Sequence, residues 1–112
     1  MKRKLILGNE ELEFKMTNKT IFDIDEKFNN FGEVINGVMN NTNLYNNSLK
    51  VISCACITRE LTIDELIEKL KPEQITKEIV SVAYGLYFDY MGIKLQTDKN
   101  KSEEDITKKK EI

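Results

Sequence analysis

The chain has 112 residues, enough for one domain with a modest core and not for two. Apolar residues make up 40% and charged residues 32%, and no apolar run approaches the ~20 residues of a membrane helix. A net charge of −2 with only two arginines, Arg3 and Arg59, disfavours nucleic-acid binding, and the lack of histidine removes the commonest general base and most zinc sites.

Lys2–Lys4 give a basic start, but only Leu5–Leu7 follow before Gly8. That apolar run is too short for a secretory signal, so the expected compartment is the cytoplasm. The first segment, KLILGNEELEFKMT, alternates Leu12, Phe14 and Met16 with Glu11, Glu13 and Lys15. This is the period-two pattern of a strand with one wet face. Gly8-Asn9 between it and Lys4–Leu7 predicts a hairpin turn, because both residues readily adopt positive φ. A two-stranded hairpin is marginal alone and must lay its apolar face on something else.

In TNKTIFDIDEKFNNFG, Ile21, Ile24, Phe28 and Phe31 fall on one helical face. Thr20 is the predicted N-cap and Gly32 the predicted stop. Asp23, Asp25 and Glu26 suit the positive end of the helix dipole better than a metal, since they do not all point one way. Val34, Ile35 and Val38 add at most a helical turn. Half of the twelve residues from Asn36 to Asn47 are Asn, and this predicts a surface loop between helices, static or mobile.

Both cysteines sit in SLKVISCACITR. Ser48 is the predicted cap of a helix from Leu49. Val51, Ile52, Cys54, Ala55, Cys56 and Ile57 are apolar on nearly all sides, which marks a buried central helix. Two helical residues two apart point to roughly opposite sides, about 200° around the axis, so Cys54 and Cys56 are read as packing residues. A strand would place both thiols on one face and reopen a metal or redox role.

Thr62 and Glu65 fit a capping box, followed by a face of Ile63, Leu66, Ile67 and Leu70. Pro72 breaks that helix or opens the next. The final helix, ending at Gly92, carries one stripe of Ile75, Ile79, Val82, Ala83, Leu86 and Tyr90. A second set, Val80, Tyr84, Tyr87, Phe88 and Met91, lies roughly a third of a turn away. Either the helix is sandwiched centrally, or that second face binds a partner or a second subunit.

The fold class expected is α+β and mostly helical: an N-terminal β-hairpin on a bundle of about four helices, all within 1–92. Residues 93–112, IKLQTDKNKSEEDITKKKEI, read as a charged, disordered tail. There is no phosphate loop, no metal-spaced cluster and no nucleophile beside a base, so no cofactor and no catalytic role is expected.

The order of elements resembles the small tail assembly chaperones of long-tailed bacteriophages and prophages. The hairpin KLILGNEELEFKMT, the Phe31-Gly32 close of the first helix and the LT-x-DEL stretch from Leu61 to Leu66 carry the likeness, which covers most of residues 3–92. The resemblance implies a non-enzymatic protein that binds the tape-measure protein and keeps its apolar helical segments soluble until the tail tube forms. It also implies a longer product made by ribosomal frameshifting, for which codons around Lys108–Lys110 would supply a slippery run. The five residues of the second face are the expected partner-binding site; neither nucleic acid nor membrane is expected as a partner. The alternative is a small helical DNA-binding regulator, which would need a basic recognition helix and salt-dependent duplex binding.

Overall fold

A computed structural model describes residues 2–92, and the segment read as a charged tail, 93–112, lies outside them. Strands β1 (Arg3–Leu7) and β2 (Glu10–Phe14) pair antiparallel with Leu7 opposite Glu10, Leu5 opposite Leu12 and Arg3 opposite Phe14. Gly8 turns the hairpin at φ 65°, in the left-handed region. Alternation puts Leu5, Leu7, Leu12 and Phe14 on one buried face. Full burial is worth roughly 1.5–3 kcal/mol for such a side chain. The other face is wet and carries Lys4–Glu11 and Lys2–Glu13 ion pairs. The outer edge of β2 is engaged: Ile57 N–H donates to the Glu13 carbonyl, Lys15 N–H donates to that of Ala55, and Glu13 N–H donates to Thr58 Oγ1.

Six helices follow among the described residues, so the mostly helical α+β class expected from sequence is what the chain forms. Helix α1 (Asn18–Phe28) begins three residues earlier than expected. Thr17, not Thr20, is its N-cap, and Thr20 completes a reciprocal capping box. Gly32 is not its stop. Asn29 ends the helix at φ 78°, and Asn30 caps α2 (Phe31–Asn40) by accepting from Glu33 N–H. Two adjacent Asn residues thus make the corner that a glycine was expected to make.

The Asn-rich stretch is not a loop. It contains the second half of α2 and the start of α3 (Leu44–Ala55), joined by a tight turn in which Asn41 and Asn43 are left-handed. Val34, Ile35 and Val38 are buried and hold α2 against the rest. Gly37 permits the corner. Asn47 Nδ2 donates to the Thr42 carbonyl and lies directly over it, where a Cβ would meet that nitrogen at 2.0 Å.

Helix α3 is central, with α1, α2 and α6 (Ile79–Met91) packed around it, together with α4 (Ile63–Lys69). It starts at Leu44, so Ser48 is an interior residue and not a cap. Ser48 is fully buried, and its hydroxyl has no hydrogen-bond partner among the described residues. A buried unpaired hydroxyl is costly, and Ala is the better helix former. Ser48→Ala should therefore stabilise the fold by roughly 1 kcal/mol, read as a higher urea midpoint at unchanged m-value.

Thr62 caps α4 through Glu65 N–H, as expected, but the Glu65 carboxylate turns elsewhere. Leu66 and Leu70 are buried, whereas Ile67, placed on the same face by sequence, is exposed. Pro72 opens a short helix α5 (Pro72–Lys77). The predicted single last helix breaks at Glu78, so Ile75 belongs to α5 and the rest of its stripe to α6.

Candidate functional site

Helix α6 is apolar on most sides because it has neighbours on most sides. Ile79, Ala83 and Leu86 are buried, and α6 packs chiefly on α3. Gly85 faces β1. The Arg3 guanidinium lies across it and reaches Asp89, with Nε to Oδ2 at 2.9 Å and Nη2 to Oδ1 at 3.2 Å. This two-point ion pair ties the first strand to the last helix. Gly92 stops α6 in the left-handed region, and its N–H bonds the Asp89 and Phe88 carbonyls.

The five predicted contact residues share a third side. Val80, Tyr84 and Tyr87 are half-buried and pack on the core's rim. Tyr84 also donates its hydroxyl to the Met39 carbonyl at 3.3 Å, which anchors α6 to α2. Phe88 is half-buried but lies against Tyr84, edge to face at 5.8 Å, and tilted beside Tyr87 at 6.3 Å. Met91 is 51% exposed. The inner part of this face thus serves the fold, and Phe88 and Met91 form its outer part.

One apolar residue outside the predicted set is barer than any of the five. Phe22 is 72% exposed on α1, the barest large hydrophobic among the described residues. It stands one turn from Asn18, whose side chain accepts a hydrogen bond from the Tyr90 hydroxyl. The signal was present in the sequence: Phe22 is an aromatic residue off the Ile21–Ile24–Phe28 stripe, with no core position to fill.

The cysteines do not share a helix. Cys54 is in the last turn of α3, and Cys56 is extended, opposite Phe14 in an isolated bridge. Both are free, half-buried, and line a cavity with Thr17, Lys19 and Lys27. Burial pushes the Cys54 thiol up, away from the reactive thiolate. Among the described residues no three acids or thiols gather as a metal site. The acidic trio is dispersed: Asp23 pairs with Lys19, and Asp25 accepts from Phe31 N–H.

A charged junction joins the hairpin to α4. Arg59 Nη2 lies 2.9 Å from Glu10 and 2.6 Å from Glu65, and Lys69 also reaches Glu65. Hydrogen bonds from Arg59, then from Lys69, hold the Glu65 carboxyl down from 4.5 to about 2, and Arg59 lowers Glu10 too. A depressed acid gives stability that is whole above its unfolded value and is lost as pH falls through the folded one. Stability should therefore decline between about pH 4.5 and pH 2, and Arg59→Gln should flatten that decline in urea titrations.

No family model, curated protein or solved structure matches the chain.

Proposed function

We propose that the protein is an assembly chaperone of phage or prophage tails, acting in the bacterial cytoplasm without catalysis. Its client is the tape-measure protein, whose apolar helical segments it covers until the tail tube forms. The observation that carries this reading is the outer face of α6, where Phe88 and Met91 are incompletely covered. Exposed aromatic and methionine side chains suit adaptable contact with a client helix. The hairpin leading into a helical body agrees with the resemblance drawn from the sequence.

Co-expression with the tape-measure protein of the same genome is the direct test. A soluble complex is expected. Phe88→Glu with Met91→Glu should weaken it about tenfold or more while leaving the unfolding midpoint unchanged. Tyr84→Glu should instead unfold the chain, because that ring and hydroxyl hold α6 to α2. Two folded proteins that fail to co-purify would refute the proposal.

A further inference from the structure

The hairpin has two outer edges, and only one is covered. A two-residue turn makes Leu7 and Glu10 a mutually hydrogen-bonded pair, and such pairs alternate along an antiparallel ladder. Arg3, Leu5 and Leu7 therefore bond inward to β2, and the backbone groups of Lys4 and Ile6 point outward. The far edge obeys the same count: Glu13 and Lys15 bond outward to the 55–57 segment, and Phe14 bonds inward. On the β1 edge, Gln74 Nε2 donates to the Ile6 carbonyl at 2.6 Å. The Lys4 N–H, the Lys4 carbonyl and the Ile6 N–H have no partner among the described residues.

These groups border a groove of about 580 Å³, walled by β1 on one side and α5 and the start of α6 on the other. Ile6 is 59% exposed at its rim. Unpaired strand edges are commonly protected by charge, proline or a covering element, because they template pairing. Here one side-chain amide supplies a single strand-like bond and leaves the rest open.

We infer that the outer edge of β1 docks an extended segment of a partner protein, which adds a strand beside Lys4–Ile6 and turns acidic side chains toward Lys71 and Lys77. Charge selects this occupant. Lys4 is already paired with Glu11, whereas Lys71 and Lys77 have no ion-pair partner among the described residues. Glu78 is the one acid on the helical wall, and its carboxylate accepts from Gln74. A second copy is the poorer occupant, because edge-to-edge pairing would set Lys4, Lys71 and Lys77 against their own counterparts. The site is separate from the face of Phe88 and Met91, so Phe88→Glu leaves it intact.

The probe is a fluorescein-labelled peptide of alternating valine and threonine with glutamates at both ends, titrated into the full chain. Anisotropy should rise, more at low salt, and amide exchange at Lys4 and Ile6 should slow by about tenfold or more. Ile6→Pro removes an outward N–H without touching the hairpin's own bonds, and should weaken binding about tenfold at an unchanged unfolding midpoint. Should that variant lose stability, Lys71→Glu with Lys77→Glu decides: it must reverse the preference toward a lysine-flanked peptide. Unchanged exchange at Lys4 and Ile6 in saturating peptide overturns the inference. So does protection of both amides in the free monomer, which would mean that the chain covers its own edge. Protection that grows with protein concentration overturns it in favour of a second copy.

Discussion

Phe14→Ala should destabilise the protein by about 3–5 kcal/mol, the largest effect expected of a single truncation here. Phe14 is fully buried and is the bulkiest of the fully buried side chains. Its position explains the size. Its backbone pairs with Arg3 in β1 on one side and stands opposite Cys56, just past α3, on the other. The ring therefore fills the joint between hairpin and helices, and neither side can collapse onto the hole without breaking ladder bonds. A domain of this size holds roughly 5–15 kcal/mol in all, so the variant should be largely unfolded at mild urea. Near-ultraviolet circular dichroism and a urea titration measure it. A loss below about 1.5 kcal/mol would mean that the joint repacks freely, against the fixed geometry described.

Gly37→Ala should cost about 1–3 kcal/mol, although alanine is the better helix former by ~1 kcal/mol. The added Cβ would fall 2.0 Å from Asn47 Nδ2 and 2.6 Å from the Thr42 carbonyl oxygen. The Asn47 side chain could swing away, at the loss of its bond to Thr42. The carbonyl belongs to the tight turn between α2 and α3 and cannot move without opening it. A double-mutant cycle with Asn47→Ala separates the two causes. Partial recovery is expected, since the carbonyl clash survives. Full additivity would show that Asn47 and residue 37 do not interact.

The sequence was most legible where one signal acted alone. Period two and Gly8-Asn9 place the hairpin to within two residues, and Pro72 and Gly92 mark true boundaries. Reading failed where two residues competed for one role. Thr17 and Thr20 both qualify as a cap, and Asp23, three residues past Thr20, favours the wrong one. Gly32 looked like a stop, but Asn29 adopts the left-handed conformation first. Six asparagines suggest a loop, although Val34, Ile35, Val38 and Leu44 supply helical faces that outweigh their weak propensity.

The candidate surface was legible as a second stripe, because helical spacing alone puts Val80, Tyr84, Tyr87, Phe88 and Met91 on one side. What spacing could not divide was its inner and outer parts. That division depends on α2, which the asparagine content hides, and on the Met39 carbonyl that receives the Tyr84 hydroxyl. The ion pairs Arg3–Asp89 and Arg59–Glu10 join residues 86 and 49 positions apart, beyond any local pattern.

The Arg3–Asp89 clasp also orders events at the ribosome. Chains are synthesised at roughly 5–20 residues per second, so about 4–17 s separate the making of the arginine from the making of its carboxylate. Throughout that interval the nascent hairpin lacks the helix that closes over Gly85. The newborn protein thus spends seconds with its own first strand uncovered, and a holding factor or a slow codon run in that window would alter how much of it matures.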